Sequence, residues 1–149
     1  MPLEKIKALR VKDVAADDCA LFLWTTFPML AEALEVIRAW GFKYKTNAFL
    51  WLKLTRTGKK FFFGLGRWTR GNAELCLLAT KGRPKRISKG VFSVIQYPIA
   101  RHSAKPPVIR DKIIELMGEL PRIELFAREE SEGWDVWGNE VSSVNAVEL

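Results

Sequence analysis

The chain has 149 residues, 48% of them apolar and 28% charged, with a net charge of +7. That balance predicts one globular domain over residues 1–149 with its own core, and it excludes a disulfide-stapled miniprotein or a disordered tail. No apolar run approaches the roughly 20 residues of a membrane-spanning helix. The charged start MPLEKIKALRVKD lacks a signal-peptide core, so a cytoplasmic protein is expected.

In chain order, PLEKIKALRV sets Leu3, Ile6 and Leu9 at helical spacing. CALFLWTT is a continuous apolar run of strand length, the pattern of a buried central strand. PMLAEALEVIRAWG reads as a helix: Pro28 opens it, Leu30, Leu34, Ile37 and Trp40 line one face, and Gly41 stops it. KTNAFLWLKL and AELCLLATKG read as strands, separated by the basic, glycine-rich loop TRTGKKFFFGLGRWTRGN. KGRPKRISKG is a second basic loop, FSVIQYPI a short strand, PPVIRDKIIELMG a helix and RIELFARE the last strand. Helices interleaved with apolar strands predict an α/β sheet with helices on its faces. Cys19 and Cys76 sit in apolar runs and read as buried thiols. With no CxxC and the single histidine His102, soft ligands are too few for a zinc site, and no metal is expected.

The charge is unevenly spread. Lys43 to Lys105 holds 15 Lys and Arg against one acid, Glu74, whereas Pro107 to Leu149 holds 4 against 10 Asp and Glu. A stretch this basic predicts a positive face that attracts phosphates, with DNA or RNA as the partner. The candidate contacts are Lys59, Lys60, Arg67, Trp68 and Arg70 in the first basic loop, and Lys81, Arg83, Lys85 and Arg86 around the second. Cations position a backbone, and an exposed Trp68 stacks on an unpaired base; the competing reading is that Trp68 packs the loop onto the domain. GLG is neither a dinucleotide fingerprint nor a Walker A loop, so the glycines do not identify a phosphate cradle.

Two stretches suit a polar ligand. ARHSAKPP precedes the last helix, and a helix start favours an anionic group, with Ser103 and Lys105 adding a hydroxyl and a cation. His102 has no Ser or Asp partner arrangement and is read as structural or a contact rather than as a catalytic base. RIELFAREESEGWDVWGNEV places Arg128 where a strand runs out, and beyond it Gly138, Asn139 and Glu140. Ligands of open α/β sheets sit beyond the carboxyl ends of strands. An amide and a carboxylate there suit an adenine edge and ribose hydroxyls; the alternative is that Trp134 and Trp137 only close the core.

Six blocks, DDCALFLWTT, EVIRAWGFKYKTNAFLWLK, GRWTRGNAELCLLATKGRP, RHSAKP, RIELFAR and GWDVWGNE, resemble in that order the mRNA adenosine-N6 methyltransferase (MT-A) family. In wording they are nearest its bacterial and phage branch, thought to act on DNA. The resemblance covers about residues 3 to 141. It implies an α/β, Rossmann-like methyltransferase fold, a mixed sheet flanked by helices, with S-adenosylmethionine as methyl donor. It also implies that Ser103 and Lys105 hold the methionine part, and that Arg128, Asn139 and Glu140 hold the ribose and adenine end.

The family's catalytic Asp-Pro-Pro-Trp (or Tyr) is nowhere in these residues; the only Pro-Pro, Pro106-Pro107, lies between Lys105 and Val108. The fold is therefore expected to be incomplete at its N-terminal catalytic strand, and no residue is assigned a catalytic role. The adenine amino group is a poor nucleophile because its lone pair is delocalised. The Asp and a proline carbonyl are expected to accept its hydrogens, while the aromatic holds the extruded base. Losing such acceptors costs about 100- to 1,000-fold in rate per contact. The expectation is thus an adenine-N6 methyltransferase homologue inactive alone, with a second chain or another subunit as possible supplier of the strand and, separately, a homo-oligomer as a possible assembly. The alternatives are a non-catalytic nucleic-acid-binding or partner subunit and a prophage remnant without a selected role.

Overall fold

The computed structural model describes residues 1–101, 104–139, 141 and 149. Its elements are α1 (Leu3–Lys7), β1 (Cys19–Thr25), α2 (Leu30–Ala39), β2 (Lys43–Leu54), β3 (Ala73–Lys81), β4 (Val94–Pro98), α3 (Val108–Met117), β5 (Ile123–Leu125) and β6 (Asp135–Trp137). Single 3-10 turns stand at Val11–Asp13 and Phe27–Met29. The order expected from the sequence is found, with β6 added. Three residues, DVW, are too few to show a period, so β6 was not legible beforehand.

Four strands form one sheet in the order β1-β3-β2-β4, and β5 and β6 form a separate parallel pair. β3 runs antiparallel to both its neighbours, while β2 and β4 are parallel. β1, β2 and β4 therefore point one way and β3 the other, so the sheet is mixed. At one edge of it Thr25 faces Leu75, Leu52 faces Ala73 and Leu54 faces Pro98. That carboxyl edge gathers the ends of β1, β2 and β4 with the start of β3.

Alternation along the strands divides the side chains between two cores. Leu75, Leu77 and Ala79 of β3, with Leu21 and Leu23 of β1, pack with Ala33, Val36, Ile37 and Trp40 of the α2 region. Cys76 of β3, Phe22 and Trp24 of β1 and Phe49 of β2 pack on the opposite face with Ile109 and Ile113 of α3. The apolar face of α2 closes the first core, and the Trp40 Nε1 donates to the Ile6 carbonyl at 2.8 Å, fastening α1 across it. Gly41 takes φ +84°, the left-handed turn that ends the helix.

β1 departs from expectation. Its sequence reads as a central strand, yet among the described residues it lies at the margin of the sheet, hydrogen-bonded to β3 alone. Every residue from Cys19 to Trp24 is only half-buried. Both faces have a core to pack on, but among the described residues no strand lies beside one backbone edge. For the same reason Cys19 is a half-buried thiol and not the buried one expected, whereas Cys76 is fully buried.

The first basic loop is compact. Thr55 N–H donates to the Lys60 carbonyl, Phe62 N–H to Lys53, and Leu54 bridges Phe61, so β2 continues into a tight turn. Beyond it a Cβ at Gly64 or Gly66 would run into the carbonyl oxygens of Gly71 and Thr69. These glycines serve close backbone approach. Among the described residues, no helix is long and apolar enough to cross a membrane.

Candidate functional site

The most constrained polar cluster lies at the carboxyl edge, on the α3 face of the sheet. Glu74, opposite Trp51 in the β2–β3 register, is buried. Its Oε1 lies 2.7 Å from Lys53 Nζ and its Oε2 2.5 Å from Lys105 Nζ. Lys53 belongs to β2, and Lys105 to the segment leading into α3. Each ammonium also stands over an indole, Lys53 at 5.1 Å from the Trp51 ring centroid and Lys105 at 5.6 Å from that of Trp24. The two indoles meet edge to face at 6.3 Å, and Trp51 Nε1 donates to the Tyr97 carbonyl at 2.9 Å. Burial pushes the Glu74 carboxyl up, but the hydrogen bonds from Lys105 and Lys53 outweigh it and hold the group below its ordinary value. A hollow of about 310 Å³ opens beside the cluster, lined by Trp24, Thr25, Thr26, Met29, Glu74 and Lys105.

A second hollow, of about 290 Å³, is lined by Met1, Ile6, Phe126, Trp137, Gly138 and Asn139. It sits at the ends of β5 and β6. Phe126 follows β5 with φ +57°, a left-handed conformation uncommon for a bulky residue, and its ring meets Trp137 edge to face at 5.2 Å. Ala127 N–H donates to the Trp137 carbonyl at 2.9 Å. Gly138 passes so close to Ala127 that a Cβ would stand 2.5 Å from its carbonyl oxygen. The turn GWDVWGN thus needs glycine at 138, and Trp137 packs on Phe126 and lines the hollow. The ion pair of Arg110 with Glu124, bonded through Nε and Nη2 at 3.2 Å each, ties α3 to β5.

The residues singled out for the methyl donor are therefore divided. Lys105 lines the first hollow and Asn139 the second, and the two share no lining residue. Arg128 is half-buried just past β5 and lines neither, but it is engaged by a neighbouring group. His102, Ser103 and Glu140 lie outside the described residues.

The basic residues fall into two groups. Lys59, Lys60, Arg67, Trp68 and Arg70 are exposed on the loop at the carboxyl edge. Trp68 is 98% exposed, so it does not pack its loop onto the domain. Arg70 covers the Phe63 ring at 4.3 Å. Arg83, Lys85 and Arg86 are exposed and Lys81 half-buried at the other end of β3. Nine residues of strand separate the two roots by about 27 Å at roughly 3.4 Å per residue. The second loop is fastened where Arg83 N–H donates to Asp18 Oδ1 at 2.8 Å and Ile87 N–H to the Leu116 carbonyl at 2.7 Å.

Sequence reasoning missed Lys53, Trp24 and Trp51 as companions of Lys105. A signal did exist, since Glu74 is the lone acid between Lys43 and Lys105. A single carboxylate in so basic a stretch, at an inward position of an apolar strand, needs cations around it.

The MT-A70 family model matches residues 1–140, and the chain belongs to that family. The Mycoplasma protein "Type II methyltransferase M.MunI" is 36% identical over 151 aligned positions, which cover all of this chain and 61% of that protein. Mouse "N(6)-adenine-specific methyltransferase METTL4" is 30% identical over 93% of the chain and 32% of its own length. Zebrafish "N(6)-adenosine-methyltransferase subunit METTL3" is 28% identical over 91% and 24%. The chain thus spans under two thirds of the length of these curated relatives.

Proposed function

We propose that this chain is one Rossmann-like domain that binds S-adenosylmethionine and nucleic acid, DNA or RNA, for adenine-N6 methylation. In this reading it transfers no methyl group until a strand bearing the Asp-Pro-Pro-aromatic motif is added. The observation that carries the reading is Lys105, a cation paired with Glu74 at the carboxyl edge of a mixed sheet, where open α/β folds bind ligands. Lys105, with Ser103, receives the methionine carboxylate. Asn139, Arg128 and Glu140 serve the ribose and adenine, with Phe126 and Trp137 offering an apolar wall. The donor then spans both hollows. Lys59, Lys60, Arg67 and Arg70 draw in a strand of nucleic acid, Trp68 stacks on a base, and Lys81, Arg83, Lys85 and Arg86 extend the positive surface.

The motif is absent from the 149 residues, and Pro106-Pro107 does not replace it. The Pro106 carbonyl accepts from Ile109 N–H at 3.1 Å, so this pair starts α3. The edge of β1 that pairs with no strand among the described residues, apolar on both faces and half-buried from Cys19 to Trp24, supports a place for the missing strand. A segment outside these residues or a second chain supplies it.

A second reading, a non-catalytic nucleic-acid-binding partner subunit, draws on the division of Lys105 and Asn139 between two hollows and on the bare indole of Trp68. Calorimetric titration with S-adenosylhomocysteine separates the two. Saturable binding that is lost in Lys105→Met supports the first. No heat of binding, with salt-sensitive DNA binding retained, supports the second.

A further inference from the structure

The charge on the first hollow is set by three side chains. Two ammonium groups, Lys53 and Lys105, face one carboxylate, Glu74, which leaves one positive charge uncompensated. The three are not equally placed. The Glu74 side chain is 10% exposed and Lys53 19%, whereas Lys105 is 34% exposed and stands at the wall of the hollow. Lys53 is held from both sides, by Glu74 and by the Trp51 ring. Lys105 can turn to an incoming anion while Lys53 continues to neutralise Glu74.

We propose that Glu74 is a specificity-determining residue that fixes this hollow at a single net positive charge, so that it takes a monoanionic carboxylate and rejects a phosphate dianion. The proposal rests on the donor-binding reading only for the name of the ligand; the charge selection stands without it. The selection has a physical need. A basic protein that handles nucleic acid is surrounded by phosphates, and a pocket with two free ammonium groups would fill with them. A buried carboxylate a few ångströms from the entering anion repels a second negative charge. Glu74 is itself buried, so solvent screens that repulsion less than it would at an exposed carboxylate. Glu74 is the sole acid between Lys43 and Lys105, so no other residue of that stretch supplies it.

The test is a charge cycle on the whole chain: wild type, Glu74→Gln, Lys53→Met and the double variant. The probes are S-adenosylhomocysteine, its carboxylate-free analogue 5′-methylthioadenosine, and inorganic phosphate above its second ionisation. Wild type prefers the carboxylate-bearing ligand by about tenfold or more, and phosphate competes weakly. Glu74→Gln, with two positive charges, binds phosphate about tenfold more tightly or better. Lys53→Met, with none, loses the carboxylate preference although Lys53 does not line the hollow. The double variant regains a single charge and with it the wild-type order, which a merely structural role for Glu74 would not give. Equal phosphate affinity in wild type and Glu74→Gln, or no rescue in the double variant, overturns the proposal. If neither nucleoside ligand binds, the donor-binding reading fails. Phosphate titrations followed by the Trp24 indole resonance, 5.6 Å from Lys105, then still decide the charge claim.

Discussion

Lys105 Nζ meets the Glu74 carboxylate at 2.5 Å across 31 residues of chain, joining the segment before α3 to the second residue of β3. With Lys53 on the other oxygen, this contact links three parts of the fold at the edge where the hollow opens. Its energetics give a signed dependence on pH. A carboxyl depressed in the folded state stabilises fully above its unfolded pKa, and that contribution disappears as pH falls through the folded value. Wild type should therefore exceed Glu74→Gln by about 1.5–3 kcal/mol near neutral pH. The margin should shrink only in acid, below the ordinary carboxylate pKa of roughly 4.3. Urea unfolding of both proteins across that range checks it; a margin that grows in acid contradicts the assignment.

The two thiols should react unequally. Burial pushes Cys76 up to about 12 and also raises Cys19. Cys19, however, sits half-buried on the open strand β1, whereas Cys76 is 1% exposed. A thiol reagent at neutral pH should label Cys19 slowly and leave Cys76 unmodified until the protein unfolds. Peptide mapping after labelling reads this directly, and native labelling of Cys76 at a comparable rate would show that the α3-side core is open.

Removing the bare indole tests the loop. Trp68→Ala should leave the melting temperature unchanged, because the side chain is 98% exposed. It should weaken binding to single-stranded DNA or RNA by roughly 5- to 160-fold, the effect of about 1–3 kcal/mol per stacked base. Fluorescence anisotropy with a short oligonucleotide measures it. Charge reversal at Lys59 and Lys60 should flatten the salt slope more than reversal at Lys85 and Arg86, which stand at the far end of β3 from the hollow.

Trp40→Ala should cost about 3–5 kcal/mol, as large truncations in a core do. Trp40 is 2% exposed, and its indole holds α1 through Ile6. A loss below about 1 kcal/mol, measured by chemical denaturation, would mean that α1 is not anchored as described.

The helices and long strands were legible because their patterns are regular. The Leu30–Trp40 face, the stop at Gly41 and the proline-to-glycine frame of α3 each announce an element through local chemistry. β1 was legible as a strand but not as a marginal one, since an apolar run reports what its faces pack on and not whether its backbone edge has a neighbour. The brevity of β6 hid it. The cluster on Glu74 was visible in part: the lone acid of a basic stretch pointed to pairing, but which lysines meet it depends on the antiparallel placement of β3 between β1 and β2, which no local pattern encodes. The helix start and the strand end already pointed to Lys105 and Asn139, the family resemblance gave them roles, and the structure adds that they open onto separate hollows.

The central claim is that this chain holds the donor and nucleic acid but lacks the groups that make the adenine amino nitrogen reactive. Methyl transfer from labelled S-adenosylmethionine to adenine-containing DNA and RNA, measured for the purified chain alone and for the chain fused to a strand carrying Asp-Pro-Pro-Trp, tests it most directly. The account predicts no incorporation above background for the chain alone and incorporation on adenine N6 for the fusion. Multiple turnover by the chain alone would contradict it.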